Sequence, residues 1–212
     1  MDGTLVDSEH HWFTGMIALA DEYGATWTHE DGLTCVGLAL LDSAEKMRAK
    51  GLDLPATEIV DRMVDYVSAQ LAVHTEWLPG AREMLTALAE AGVPCALVTM
   101  SYRKIAETVV AGAPAGAFRV VVSGDDVSRG KPHPEPYLTA AAALGVPATS
   151  CVAVEDSLTG ITSAEAAGAH GIVVKGLSAV PDAPGRSTTA RLDLLTLDHL
   201  AQVAAGNTII VD

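Results

Sequence analysis

Four short groups of polar residues stand out in the sequence, because their side chains could act together on a charged substrate. They are Asp2-Gly3-Thr4, Thr99-Met100-Ser101, Gly130-Lys131-Pro132 and Glu155-Asp156-Ser157. Carboxylates transfer protons and bind hard cations, and a lysine neutralises negative charge. Each group alone is a weak signal, since a threonine after a strand is usually a helix N-cap and a Gly-Lys-Pro sequence is usually a solvated turn. Their order along the chain makes them informative.

The elements that position these groups are visible as short apolar runs without polar alternation, which is typical of parallel strands buried on both faces. The runs cover residues 95–99, 119–123, 151–155 and 171–175. Helical patterns alternate with them, over residues 81–91, 102–112, 134–144 and 158–167. This alternation predicts a doubly wound, Rossmann-like α/β fold with a parallel sheet. Ligands bind at the carboxyl ends of the strands in such sheets, and the polar groups lie there.

Residues 9–75 break the alternation. They show helical periodicity near 10–23, 42–50 and 56–73, without a convincing strand, and Pro79-Gly80 ends the section. We therefore predict an all-helical cap.

The remaining parts of the chain form the catalytic α/β core in this prediction. The core comprises residues 1–8 and 76–212, and the cap comprises residues 9–75. Within the core, residues 176–191 carry several Pro, Gly, Ser and Thr residues and are predicted to form a surface loop. Residues 195–204 are predicted to form a closing helix.

Composition excludes several classes of partner. The formal net charge is −14, which argues against binding to nucleic acid or an anionic membrane, because phosphate backbones need Lys and Arg. A single cation or metal site could still bind a small phosphorylated metabolite. The chain has three cysteines, an odd number, and no C-x-x-C motif. We therefore interpret Cys35, Cys95 and Cys151 as reduced thiols. We expect a cytoplasmic monomer.

The motifs in their order carry a resemblance to a known family. The segments D-G-T-L-V-D-S-E, T-M-S, G-K-P-H-P and E-D-S-L-T-G-I-T-S-A-E-A-A-G resemble those of the haloacid dehalogenase superfamily. The similarity is to the branch with a helical cap, which holds phosphoglycolate-phosphatase-like and β-phosphoglucomutase-like enzymes. It covers nearly the whole chain, and the last motif is the most specific. The resemblance implies a phosphatase that acts through an aspartyl-phosphate intermediate.

The resemblance also implies roles for individual residues. Asp2 matches the general acid and base that protonates the leaving alkoxide and later activates water. Thr99, the Met100 amide and Ser101 are implied to hold the phosphoryl oxygens. Lys131 is implied to neutralise charge on the nucleophile and the phosphate together.

A magnesium ion is implied in the same way. The family resemblance assigns it to Asp156 and to Glu155, directly or through water, together with Asp2 and the nucleophilic aspartate. Because the use of Mg²⁺ with a D-x-D acid is foreign to the haloacid dehalogenases proper, Asp2 argues against that activity. The expected activity is hydrolysis of a sugar phosphate or a phosphoglycolate-like ester.

The nucleophile is the unusual feature of this sequence. The family pattern is h-h-h-h-D-x-D-G-T, and Met1 occupies the position x. The tail N-T-I-I-V-D, joined to the front, would complete the pattern as T-I-I-V-D-M-D-G-T. We therefore predict a circular permutation, with residues 208–212 as a central strand between 95–99 and 151–155, and with Asp212 as nucleophile and metal ligand. The alternative is that this chain lacks its first strand and the nucleophile, and that residues 209–211 form an ordinary edge strand.

Two other functions stay open. In the mutase branch a histidine and an arginine of the cap region help to bind and transfer a phosphosugar, and those positions correspond to Trp12 and Leu40 here. Both differences favour a phosphatase over a β-phosphoglucomutase-like mutase. A non-catalytic binding protein is the alternative if no carboxylate occupies the nucleophile position.

Overall fold

The α/β core follows the predicted alternation. The computed structural model describes residues 1–176 and 179–212. Its strands are β1 (Ala96–Val98), β2 (Val120–Val122), β3 (Val152–Glu155), β4 (His170–Val174), β5 (Ser187–Thr189) and β6 (Ile210–Val211). The core helices are α5 (Ala81–Glu90), α6 (Arg103–Gly112), α7 (Glu135–Leu144), α8 (Leu158–Ala166) and α9 (Leu197–Ala204). All four predicted strands and all five predicted core helices are confirmed, with ends that differ by a residue or two.

The described strands form two parallel groups. One group is the β1–β2 pair, and the other has the order β3-β4-β5-β6. Lys131 joins the carboxyl ends of the two groups, because its Nζ lies 3.0 Å from the Val98 carbonyl oxygen and 2.5 Å from Oε1 of Glu155. Between β1 and β3 the described residues place no strand. Accordingly Val152 and Val154 on β3 are only half-buried.

The tail does not complete the sheet, so the predicted circular permutation is wrong. Strand β6 lies at the edge of the second group, where Val211 pairs with Thr189 of β5. Ile210 is 73% exposed, whereas a central strand would be covered on both faces. The side chain of Asp212 is 70% exposed and forms an ion pair with Lys175 at 3.0 Å.

The physical reason is the strand β5, which lies inside the region 176–191 that we predicted to be a loop. Its free edge accepts the tail: the Thr188 amide donates to the Ile209 carbonyl at 3.0 Å, and the Ala190 amide donates to the Val211 carbonyl at 2.9 Å. The chain leaves α9 beside this edge. Residues 177 and 178 of the predicted loop lie outside the described residues.

The predicted all-helical cap contains four helices. They are α1 (Glu9–Glu22), α2 (His29–Leu33), α3 (Leu40–Ala49) and α4 (Ala56–Val73). The three predicted helices are present, and only α2 was missed. It spans a single turn beyond a capping box, in which Thr28 and Asp31 exchange hydrogen bonds, and it is too short for a periodicity signal. No helix in the described part of the chain is both long and apolar enough to cross a membrane.

The cap rests on the core through α4 and α6. Lys104 of α6 pairs with Asp65 of α4 at 2.6 Å, and the hydroxyls of Ser68 and Thr108 lie 3.0 Å apart. The buried apolar cluster is continuous across this contact, from cap residues such as Met47, Leu71 and Val67 to core residues such as Leu97, Ile105 and Val109. This packing sets the cap over the carboxyl end of β1.

Two isoleucines of the same sheet provide a test of this topology. We expect Ile172→Ala to lower the free energy of unfolding by about 2–5 kcal/mol, because Ile172 is fully buried on β4. The matched variant Ile210→Ala, on the exposed edge strand, should change it by no more than about 0.5 kcal/mol. Denaturant unfolding of both variants gives the comparison. A large loss at Ile210 would instead place β6 inside the sheet.

Candidate active site

A cavity lies where the cap meets the carboxyl ends of β1 and β3. Its volume is about 120 Å³, and residues of both the cap and the core line it. Every site residue predicted from the first part of the chain and the strand ends contributes to its wall: Asp2, Thr99, Met100, Ser101, Lys131, Glu155 and Asp156. Asp212, on the edge strand, does not line it.

The carboxylate of Asp2 is held by hydroxyl groups. The Ser8 hydroxyl donates to Oδ1, and the Ser101 hydroxyl donates to Oδ2 at 2.8 Å. The indole Nε1 of Trp12 lies 3.5 Å from Oδ1. Ser8 is fully buried, so its hydrogen bond fixes the orientation of the Asp2 side chain from the protein interior. The other side of that carboxylate faces the cavity.

A tight turn after Asp2 brings the front of the chain against β3. The Met1 carbonyl accepts hydrogen bonds from the amides of Thr4, Leu5 and Val6, and Gly3 has φ +69°. The Thr4 hydroxyl donates to Oδ1 of Asp156 at 2.7 Å. A Cβ at Gly3 would lie 2.4 Å from Oδ2 of Asp156, so the turn needs glycine for space as well as for its positive φ.

Glu155 and Lys131 form a buried ion pair. Their side chains are 6% and 7% exposed, and the Tyr137 hydroxyl also donates to Oε1 of Glu155. Burial acts to raise the pKa of Glu155, but the Lys131 ammonium and these hydrogen bonds outweigh it and hold the pKa below its usual value. Burial and the charge of Glu155 raise the pKa of the Tyr137 hydroxyl. Glu155 is therefore a carboxylate whose charge is already neutralised by a neighbour.

Two further acidic residues, Asp156 and Glu9, line the cavity. Burial raises the pKa of Asp156, and the charge of Glu155 adds to the effect. The pKa of Glu9, at the start of α1, rises to about 7 through burial and through repulsion by Asp156, Asp7 and Asp2. Such a cluster of carboxylates favours a cation.

Comparison with known proteins agrees with this geometry. The family model described as haloacid dehalogenase-like hydrolase matches residues 1–174. Hexitol phosphatase A from Escherichia coli (strain K12) is 31% identical over 189 residues, which cover 85% of this chain and 83% of that protein. Validoxylamine A 7'-phosphate phosphatase from Streptomyces hygroscopicus subsp. limoneus is 30% identical over 201 residues, with 93% and 91% covered. The chain belongs to the haloacid dehalogenase-like hydrolases.

A solved structure of the same hydrolase fold extends the likeness to three dimensions. It is a variant of CbbY from Rhodobacter sphaeroides in complex with xylulose-(1,5)bisphosphate. The TM-score is 0.82 at 25% sequence identity, and the alignment covers 94% of this chain and 96% of that one. The parallel-sheet core and the helical cap are therefore those of this hydrolase family.

The acidic residues of this hydrolase fit a hard cation only in part. Within residues 1–176 and 179–212, no three His, Cys, Asp or Glu side chains come together as a metal site. Asp2 and Asp156 face the same cavity beside the surplus negative charge at Glu9, and their oxygens suit Mg²⁺. Glu155 fits less well, because Lys131 and Tyr137 occupy its carboxylate.

The phosphate-binding segment predicted after β1 is packed by its neighbours. The Thr99 hydroxyl accepts a hydrogen bond from the Ser101 amide at 3.1 Å, and the Met100 sulfur accepts one from the Lys131 amide at 3.3 Å. A Cβ at Gly124 would lie 2.2 Å from the Met100 carbonyl oxygen. The Thr99–Ser101 segment is thus fixed between Asp2 on one side and the main chain at Lys131 on the other.

Sequence reasoning missed two supporting residues. Ser8 lies in the opening motif that identified the hydrolase family, but nothing in its spacing showed that it would bind Asp2. Tyr137 sits in the Ala-rich helix α7 and carries no local signal at all. Only the packing of α7 against the end of β3 reveals that it contacts Glu155.

Gly160 provides a test of the packing around Glu155. A Cβ at this position would lie 2.0 Å from Oε2 of Glu155, so we expect Gly160→Ala to lower the free energy of unfolding by about 1–3 kcal/mol. The matched control is Gly112→Ala in α6, where the nearest atom to a new Cβ is 3.8 Å away on Trp77. That variant should be as stable as the parent or more so, because alanine favours helix. Equal stability of the two variants would contradict the packing.

Proposed function

We propose that this hydrolase is a Mg²⁺-dependent phosphatase that cleaves a small phosphate monoester through an aspartyl-phosphate. The observation that carries the proposal is the convergence of Asp2, the Thr99–Ser101 segment, Lys131 and Asp156 on one cavity. The phosphatases among the relatives support it, since hexitol phosphatase A and validoxylamine A 7'-phosphate phosphatase are named for phosphorylated small molecules. A small phosphorylated metabolite is the expected partner.

Asp2 acts as the general acid and base in this proposal. Hydrogen bonds from Ser8 and Ser101 hold its carboxyl group towards the cavity, so that it can give a proton to the leaving alkoxide. The same group then removes a proton from the water that attacks the phosphoenzyme. Fixed orientation matters because a general acid must lie within hydrogen-bonding distance of the atom it protonates.

The transferring phosphoryl group is bound by Thr99, the Met100 amide, Ser101 and Lys131. Lys131 lies between the ends of β1 and β3, where it neutralises negative charge in a site shielded from water. Asp2 and Asp156 would hold Mg²⁺, and the Thr4 hydroxyl orients Asp156 for that task. When bound, Mg²⁺ supplies further positive charge against the phosphoryl oxygens.

In the family pattern h-h-h-h-D-x-D-G-T the attacking carboxylate stands two positions before the residue that Asp2 matches. Asp212 lies on the edge strand and cannot take this role in the described fold. An aspartate at the position before Met1 would adjoin the turn that contacts Asp156. Within the described residues β1 pairs only with β2, and β3 pairs only with β4, so each keeps an unpaired edge beside which the strand that would carry it could lie.

We also propose that the cap, residues 9–75, acts as a lid over the core formed by residues 1–8 and 76–212. The cavity is lined from both sides, and the Thr159 hydroxyl of α8 donates to the Gly37 carbonyl of the cap at 3.0 Å. Closure of such a lid would exclude water from the phosphoryl group.

A mutase is the second candidate, but the cavity favours hydrolysis. Trp12 and Leu40, which replace the histidine and arginine of the mutase branch, both line the cavity with apolar surface. They offer no charged group to hold and reorient a phosphorylated intermediate.

An N-terminal extension tests the proposed nucleophile. We expect the chain preceded by Thr-Ile-Ile-Val-Asp to release phosphate from a panel of small phosphate monoesters when Mg²⁺ is present. The matched control ends in Asn instead of Asp, and its rate should be at least 100-fold lower, because the amide cannot attack phosphorus. Chelation of the metal should also abolish release. If the Asp-extended chain releases no phosphate from any ester, the proposed function is wrong; equal rates for the two extensions would refute the nucleophile.

Two aspartates test which acidic residues belong to the active site of the Asp-extended chain. We expect Asp156→Asn to lower phosphate release at least 100-fold while the unfolding midpoint changes little. The control Asp212→Asn should keep the parent rate, because Asp212 is exposed and bound to Lys175. Circular dichroism during heating checks that both variants are folded. Full activity of Asp156→Asn would remove this residue from the site.

A further inference from the structure

The cap side of the cavity is an apolar wall. It is formed by Trp12, Phe13 and Met16 from α1, by Val36 and Leu38 before α3, and by Leu40 at its start. The one hydroxyl on this wall, that of Ser43, points back to the Ala39 carbonyl at 3.4 Å. Apart from Glu9 at the start of α1, the charged groups of the described residues that line the cavity lie on the core side, where the phosphoryl group is expected.

Basic side chains of the cap are bound elsewhere. Lys46 donates to the Thr34 carbonyl at 2.6 Å. Arg48, Lys50 and Arg62 pair with acidic residues of the cap, at distances of 2.9, 2.5 and 3.0 Å. Of the described residues that line the cavity, Lys131 is the sole lysine or arginine, and it lies on the core side.

From these observations we infer the class of substrate: a monoester with a single phosphate, whose alcohol part is uncharged and turns an apolar or aromatic face to the cap. The inference rests on the proposed phosphatase function and narrows it. It separates this chain from the CbbY variant, which was solved in complex with a bisphosphate. It also disfavours esters with a carboxylate, such as phosphoglycolate.

The physical reason for the expected preference for an uncharged alcohol part is the cost of removing water from charged groups. A second phosphate or a carboxylate on the substrate would lose water against the wall of Trp12, Phe13 and Leu40 and would gain no partner there. Above about pH 7, where Glu9 is mostly ionised, its carboxylate at the cavity would repel it as well. An uncharged alcohol part gains from burial of its apolar surface in the same place. The expected selectivity therefore has two sources: charged alcohol parts are disfavoured at the wall, and apolar alcohol parts bind to it favourably.

Size and position restrict the alcohol part further. A cavity of about 120 Å³ is smaller than the roughly 150 Å³ that holds benzene, and the phosphoryl group must fit as well. Trp12 approaches Asp2 to 3.5 Å, so the carbon next to the leaving oxygen would contact the indole. Small alcohols fit this space best.

Two phosphonates that are not hydrolysed separate binding from turnover. Isothermal titration calorimetry with the 212-residue chain and Mg²⁺ should show butylphosphonate binding at least tenfold more tightly than butane-1,4-bisphosphonate. The two probes differ only in the second charged group. Equal or tighter binding of the bisphosphonate, or no binding of butylphosphonate, would overturn the inference.

A cationic side chain introduced into the apolar wall should reverse the preference for the monophosphonate over the bisphosphonate. We expect Leu40→Arg to tighten bisphosphonate binding about tenfold, because the new guanidinium would pair with the second phosphonate. Leu41→Arg is the matched control, since Leu41 is the next residue of α3 and faces solvent at 45% exposure. It should leave both affinities unchanged. The same gain in both variants would mean that general charge, rather than the wall, determines selectivity.

The ester panel distinguishes failure of this inference from failure of the proposed function. If the Asp-extended chain releases phosphate but prefers bisphosphates or carboxylate esters, only the substrate class is wrong. If it releases no phosphate from any ester, the phosphatase itself is wrong. Preference for small uncharged monoesters supports both.

Discussion

The buried ion pair between Lys131 and Glu155 is the constraint around which the site is organised. Lys131 bonds to the Val98 carbonyl at the end of β1 and to the carboxylate at the end of β3. The Lys131 ammonium thus bridges two groups of strands that are not paired with each other in the described fold. Breaking such a pair by removing one partner typically costs about 3–5 kcal/mol, since the other charge stays buried. The hydrogen bond from Tyr137 and the need for glycine at position 160 both follow from this carboxylate.

The rest of the site divides according to charge. Acidic groups gather on the side of Asp2 and Asp156, where hydroxyls of Ser8, Ser101 and Thr4 orient them. The cap covers these acidic groups with apolar side chains. A phosphorylated molecule entering the cavity therefore meets polar groups at one end and an apolar wall at the other. Under the proposed function, the composition of this cap wall would separate one class of ester from another.

Much of the core could be predicted because its signals are local. Parallel strands covered on both faces are short apolar runs, and three of the core helices are followed within two residues by a glycine of positive φ: Gly92, Gly145 and Gly168. The motif residues could be placed in one cavity because three of the groups follow their own strands and Asp2 belongs to the opening family motif. The helix α2 and the strand β5 could not be predicted, since the first is a single turn and the second is a polar Ser-Thr-Thr segment that becomes a strand only by pairing with β4.

The sequence by itself determined the order of strands and helices, the insertion of a helical cap and the identity of the polar groups at the strand ends. These features depend on the spacing of apolar residues and on a few short motifs. The tertiary structure alone decided where the tail lies: Ile209, Ile210 and Val211 have the composition of a central strand, yet they pair with the edge of β5. It also decided that Tyr137 contacts Glu155 and that, among the described residues, no lysine or arginine of the cap lines the cavity. The physical reason is that a free strand edge and a cavity wall are formed by segments far apart in the chain, so no local pattern records them.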